Sequence, residues 1–184
     1  SLCAIKNGKS IAGSMGATPQ SGLFQNNRVG DLDVFSLPIL KKHFGTYNEV
    51  FKILSNESGL KGLSGVSNDM KEVIEASNNN DQAKLAIDAF VDNIVGYVGM
   101  FTAYLGGLDA IVFTGGIGFN SSYIRNSVCS SLLFCDAKID RTRNNSKNSN
   151  DILISSNNSK IKIYAIKTNE EYILAKDAIK FLKI

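Results

Sequence analysis

The stretch Asp109-Ala110-Ile111-Val112-Phe113-Thr114-Gly115-Gly116-Ile117-Gly118 constrains the fold more than any other part of this chain. Ala110 to Phe113 form a short apolar, largely β-favouring run, which predicts a buried strand. Thr114 and a Gly-Gly-x-Gly turn close it, and a helical pattern opens near Asn120-Ser121-Ser122. A strand, a glycine turn and a helix start let backbone approach a nucleotide closely, and the free N–H groups of a helix N-terminus favour anionic groups. A plain tight turn between strand and helix uses the same glycines. The stretch by itself leaves both readings open.

At 184 residues the chain is long enough for one domain with a real core and too short for two large ones. Apolar residues make up 43% and charged residues 20%, an ordinary globular mix. The net charge of +3 is small and the lysines are scattered, which argues against a nucleic-acid partner. No apolar run approaches the roughly 18 residues that would span a bilayer, so no membrane partner is expected. With no visible signal peptide, the expected location is cytoplasmic.

Cys3, Cys129 and Cys135 are odd in number and lack metal-ligand spacing, so they read as small apolar fillers in a reduced compartment. His43, the only histidine, follows two lysines in an expected helix and reads as a surface side chain. The first residue is Ser, and residues 2–6 already read as a strand. The chain is therefore expected to be a piece of a longer one.

Leu2 to Lys6, Asn7-Gly8 and Ser10 to Ala12 read as a hairpin with an Asn-Gly turn. Ser14 to Gly30 has no sustained period and reads as a long functional loop. Ser36 to Phe44, Tyr47 to Leu54 and Ser67 to Glu75 read as helices, and Ser58 to Gly65 as a glycine-punctuated loop. Asp81 to Leu105 is the longest expected helix, apolar on two or three faces and so largely buried, with Gly106-Gly107 ending it. A helix is expected from about Ser121 to Leu133, and a mobile polar loop over Arg141 to Asn150. Strands are expected at Ile152 to Ile154 and Ile161 to Ile166. A final helix runs from Glu170 to Leu182, opened by a capping box of Thr168 and Glu171. The whole reads as one α/β domain.

Several patterns coincide in order: Ser14-Met15-Gly16-Ala17-Thr18-Pro19, Arg28-Val29-Gly30-Asp31-Leu32-Asp33, Ser58-Gly59-Leu60, Ser67-Asn68-Asp69-Met70-Lys71, the Leu105 to Gly118 run, and Thr168-Asn169-Glu170-Glu171. This set resembles the C-terminal half of the acetate kinase family, which includes propionate and butyrate kinases. The resemblance spans nearly all of residues 1–184. It implies an actin-like, ribonuclease-H-like ATPase fold with a mixed sheet and flanking helices, lacking the first strand of the domain. It further implies transfer of a phosphoryl group from ATP to acetate, giving ADP and acetyl phosphate, with Mg²⁺ and usually in a homodimer.

Carried over by position, Arg28 matches the catalytic arginine that holds the transferring phosphoryl group and the carboxylate; a guanidinium fork suits both. Asp69, Met70 and Lys71 match the segment beside the adenosine. Gly116, Ile117, Gly118, Phe119 and Asn120 match the turn around the nucleotide. Glu170 matches the magnesium-associated glutamate, and its carboxylate also suits a helix N-terminus. Asp31 and Asp33 are expected to order the arginine loop.

Four departures stand out. Phe119 stands where the family has Glu, Lys71 where it has Arg, Asn26-Asn27 where it has Gly-Thr, and Lys167 where it has Pro. The first two bear on nucleotide affinity, because a lysine lacks the planar face that stacks on a base. The family's His-Leu-Gly-Asn-Gly strand and phosphate loop, and the catalytic groups of its N-terminal domain, are not in this chain. That strand would be central in the sheet, so its absence predicts unpaired edges and an exposed apolar face. The chain alone is expected to be inactive, with the N-terminal half as its missing partner. The alternative is a non-catalytic kinase remnant, or interaction module, with weak nucleotide binding.

Overall fold

The structure, a computed structural model, describes residues 1–146 and 151–182. It divides into two compact units, Ser1–Leu108 and Asp109–Ile184.

The first unit opens with the expected hairpin. Strands β1 (Cys3–Lys6) and β2 (Lys9–Gly13) pair antiparallel, with Ala4 opposite Ala12 and an irregularity after Ala4. Asn7 and Gly8 take φ of +53° and +74°, the left-handed pair that a two-residue turn of this twist requires. Helices α1 (Leu37–Phe44), α2 (Tyr47–Asn56), α3 (Gly59–Ser64), α4 (Met70–Ala76) and α5 (Asp81–Leu105) follow. Thr46 and Glu49 form a reciprocal capping box on α2. His43 lies exposed near the end of α1.

Helix α5 organises this unit. Asn80 Oδ1 accepts from the N–H groups of Gln82 and Ala83 at its start, and Gly106 ends it at φ +78°. Lys6 Nζ donates to the Leu105 carbonyl at 3.0 Å, satisfying one of the acceptors that a helix end leaves open. Ala83, Ala86, Ile87, Phe90, Val98 and Phe101 form a single buried stripe, and α5 packs on α3, α4 and β1. The expectation of a largely buried helix is corrected here: Leu85, Met100 and Tyr104 are exposed. By length and composition α5 is apolar enough to cross a membrane, with an 18-residue window of mean hydropathy 1.3. Its apolar stripe faces protein, as in the core helix of a globular fold.

The segment read as a loop at Ser58 to Gly65 contains α3. Its N-terminal N–H groups find carbonyl partners in the chain around Arg28, so tertiary bonding overrides the glycine content. Helix α4 begins later than expected, at Met70, because Asp69 caps it.

The second unit holds strands β3 (Ala110–Phe113), β4 (Ile152–Leu153) and β5 (Lys162–Ala165) in the order β3-β5-β4. β3 runs parallel to β5, with Phe113 opposite Ala165, and β4 runs antiparallel to β5. The fold is thus α/β with a mixed sheet. Helices α6 (Gly115–Asn120), α7 (Ser122–Ser131), α8 (Arg141–Asn144) and α9 (Glu170–Leu182) complete it. The core gathers Ile124, Val128 and Leu132 with Ile154, Ile161 and Ile163.

Four expectations are corrected in this unit. β3 is not a buried strand: of its four residues only Phe113 is buried, and Val112 is 51% exposed. Among the described residues β3 pairs on one side only, so it behaves as an edge strand. The glycines at 115, 116 and 118 are not a turn before a helix but the body of α6 itself. Arg141 to Asn144 is helical, because Asp140 Oδ1 accepts from the Arg143 N–H; residues 147–150 of that expected loop lie outside the described residues. Finally, Asn169 rather than Thr168 provides the side-chain oxygen at the start of α9, accepting from the Tyr172 N–H at 3.2 Å.

Candidate functional site

In the second unit, β3 and β5 are parallel neighbours, so the segments that leave their carboxyl ends emerge side by side. Ligands in open α/β sheets collect at such ends. A cavity of about 720 Å³ lies there, within the range of small-molecule sites. Gly115, Gly116, Phe119 and Asn120 of α6 form the wall that follows β3. Lys167 and Thr168 form the wall that follows β5, and Asn144, Asn145 and Ser146 close a third side. No carboxylate lines the cavity among the described residues, whereas Lys167 and Arg125 do. It is therefore suited to an anionic or neutral polar guest rather than a cation.

Local sequence explains the α6 wall. Gly115 sits at φ +69° directly after Thr114, where a side chain would be strained. A Cβ on Gly118 would meet the backbone of Phe113 at 3.4–3.5 Å, so α6 lies close against the strand it follows. Asn120 Nδ2 donates back to the Gly116 carbonyl at 2.9 Å. Ser121 then ends α6 and caps α7, accepting from the Ile124 N–H at 3.3 Å.

Sequence reasoning missed Ser122, Arg125 and Asn144 to Ser146 as cavity residues, and of these Arg125 is the charged one. It is 4% exposed. Nη1 donates to the carbonyls of Gly118 (3.0 Å) and Phe119, Nε to Asn144 Oδ1 and Nη2 to the Asn144 carbonyl, both at 2.7 Å. Burial lowers its pKa from the ordinary value. The only available signal was its position in α7, one residue after Ile124 and three before Val128, on the inward stripe of that helix.

Of the residues singled out in the sequence, Gly116, Phe119 and Asn120 line this cavity; Ile117 and Gly118 belong to the same helix without lining it. Glu170 is the first residue of α9, exposed, two positions beyond the lining residue Thr168.

Arg28, Asp69, Met70 and Lys71 belong to the first unit. Arg28 is half-buried, and its Nη1 donates to Gln25 Oε1 at 3.3 Å. The loop that carries it is fastened from two directions. At the start of α3, the N–H groups of Ser58, Leu60 and Lys61 donate to the carbonyls of Asn27, Gln25 and Asn26 at 2.8–3.0 Å. On α5, Asn93 Oδ1 accepts from the Phe24 N–H at 3.2 Å, and Tyr97 donates to Asp31. Asp31 also accepts from the Gly22 N–H at 2.7 Å and so orders the loop as expected, whereas Asp33 accepts from the Phe35 N–H at 2.9 Å and caps the turn that follows it instead.

Asn26, one of the departures, donates its amide to the Asn68 carbonyl at 2.8 Å and so ties the Arg28 loop to the Asp69 segment. There Asp69 Oδ1 is occupied by the Lys71 N–H at 2.8 Å. Met70 is buried in the core, and the Lys71 ammonium extends outward, 4.0 Å from Glu75. The two fillers Cys129 and Cys135 are buried and half-buried, but Cys3 is exposed and fills nothing.

Comparison with known proteins yields a consistent set. The model of the acetokinase family matches residues 1–176. The chain is 44% identical over 182 residues to the propionate kinase PduW of Salmonella typhimurium, covering 98% of this chain and 44% of that protein. It is 42% identical over 179 residues to the acetate kinase of Clostridium novyi, covering 96% of this chain and 44% of the relative. The crystal structure of Porphyromonas gingivalis acetate kinase superposes with a TM-score of 0.89 at 36% identity, over 98% of this chain and 46% of that one. The chain thus spans less than half the length of the curated relatives it matches.

Proposed function

The chain belongs to the acetokinase family, and from that premise we propose that it forms the nucleotide-side part of a kinase exchanging a phosphoryl group between ATP and a short-chain carboxylate, acetate in the first instance. The single observation that carries the reading is the polar cavity at the carboxyl ends of β3 and β5, lined by α6 and without a carboxylate among the described residues. The reading concerns this chain together with the further length that its relatives possess. It extends to a cytoplasmic homodimer on the strength of the family resemblance alone.

In this proposal the α6 wall, with Gly116, Phe119 and Asn120, takes the nucleoside end of ATP or ADP, and Phe119 offers an aromatic face in place of the family's carboxylate. Asp69 holds α4 in register through the Lys71 N–H, so its part is to shape the neighbouring segment. Arg28 presents its fork to the moving phosphoryl group and the acceptor carboxylate. A carboxylate oxygen attacks the γ-phosphorus as the bond from the bridging oxygen breaks, and ADP departs with the electron pair. Such a transfer asks the protein chiefly for positioning and fixed positive charge. The fastening of the Arg28 loop from α3 and α5 supports that role.

The donor set fits a magnesium ion held mainly by phosphate oxygens and water. Glu170 is an exposed carboxylate, and among the described residues no three His, Cys, Asp or Glu side chains converge on an all-protein cage. Glu170 would hold the ion from the start of α9. An ion held there would supply positive charge to offset that of the phosphates.

Calorimetric titration of the chain with Mg·ADP and Mg·ATP tests the proposal. Binding in the micromolar to low millimolar range supports it. Absence of binding would mean that the family's strand and phosphate loop outside this chain are indispensable to the site, or that Phe119 and Lys71 have disabled it, as in a kinase remnant.

A further inference from the structure

A buried guanidinium is costly unless it is fully bonded, and an apolar side chain of similar size would fill the same space at less expense. Arg125 has no carboxylate partner among the described residues. Its bonds go instead to neutral oxygens on two different walls of the cavity: the last turn of α6, through Gly118 and Phe119, and Asn144 at the end of α8. Asn144 in turn donates Nδ2 to the Ser122 carbonyl at 2.9 Å, at the start of α7. One fork and one amide thus tie the ends of α6 and α8 to α7.

The stereochemistry is specific to these side chains. Nε and Nη2 of one planar group reach the side-chain and backbone oxygens of one residue, while Nη1 points the other way to the carbonyls that α6 leaves open. A lysine ammonium cannot span both directions at once. A helix of six residues with three glycines has little stability of its own, since each glycine costs about 1 kcal/mol relative to alanine. Something outside α6 must hold it.

We infer that Arg125 is a positioning residue that, paired with Asn144, sets the spacing of the α6 wall and thereby the nucleotide affinity of the cavity. The affinity part rests on the function proposed above; the spacing part does not. Arg125→Lys and Asn144→Ala are compared with the unaltered chain in two measurements: amide hydrogen exchange and Mg·ADP titration. The expected result is at least tenfold faster exchange over residues 115–121, with exchange in β5 and the core of α7 within about twofold. Mg·ADP binding is expected to weaken at least tenfold. A residue that merely supported global stability would raise exchange in all of these segments together.

Uniform or unchanged exchange overturns the inference, as does undiminished Mg·ADP affinity in both variants. If Arg125→Lys does not fold, Asn144→Ala carries the same comparison. If the unaltered chain binds no Mg·ADP, the cavity takes no nucleotide in this chain by itself and the affinity part has no readout there. The spacing role is then decided by exchange alone: a local rise over 115–121 upholds it and any other pattern overturns it.

Discussion

Tyr97 donates its hydroxyl proton to Asp31 Oδ2 across 2.5 Å, and so joins the longest helix of the chain to the loop that carries Arg28. Asp31 uses its other oxygen to hold the Gly22 N–H, and Gly22 returns its carbonyl to the Asp31 N–H at 2.9 Å. The loop is thereby closed at its neck, with Arg28 between the two fastened ends.

The hydrogen bond to Asp31 pushes the Tyr97 pKa from 10.0 up to about 12. A raised folded-state value means that the contribution is fully present below the unfolded value and is lost as pH rises through the folded one. Tyr97 should therefore be among the last tyrosines to ionise in a spectrophotometric titration. Thermal midpoints should fall more steeply between pH 10 and 12 in the unaltered chain than in Tyr97→Phe. Equal slopes would show that the bond adds nothing to stability.

Gly59 is held at φ +60°, and a Cβ there would lie 2.1 Å from the Gln25 carbonyl oxygen and 2.6 Å from that of Arg28. Gly59→Ala should cost about 2–4 kcal/mol through left-handed backbone strain and displacement of the Arg28 loop. Urea denaturation measures it. A loss under about 0.5 kcal/mol would mean that the loop yields without consequence.

Burial pushes the Cys129 thiol up to about 12, and burial also raises Cys135, while Cys3 is exposed. The thiolate is the reactive form. At pH 8 a disulfide reagent should modify Cys3 rapidly and Cys129 only on unfolding, with all three thiols titrating in denaturant. Prompt modification of Cys129 in the native chain would contradict the packing of α7.

Arg28→Ala, introduced where the catalytic activity is complete, should lower kcat by several orders of magnitude without loss of folding, because the Arg28 loop is fastened by backbone and by Asp31 rather than by the guanidinium. Steady-state rates with acetate and ATP, alongside circular dichroism, measure this. A loss under about tenfold, roughly 1.4 kcal/mol of transition-state stabilisation, would remove Arg28 from the catalytic role.

Patterns carried by neighbouring residues were legible in the sequence. The Asn-Gly hairpin, the long helix with its Gly106 stop, the short apolar strands near 110–113 and 161–166 and the final helix from Glu170 follow from turn chemistry and from periods of two and 3.6, all local properties. The ordered motifs also carried the family resemblance, and with it Arg28 and Gly116 to Asn120 as candidates.

Tertiary structure decided the rest, because the deciding partners are distant in sequence. The glycines of α3 and α6 looked like loop residues until their helix ends found partners: the Gln25 to Asn27 carbonyls in one case, the Arg125 guanidinium in the other. Thr168 and Asn169 are both good capping residues, and only the backbone path after β5 selects Asn169. Arg125 gave no sign of importance in a helix whose pattern would accept an apolar residue there. Its meaning comes from Asn144, nineteen positions away, since a buried charge can be judged only when the groups that solvate it are known.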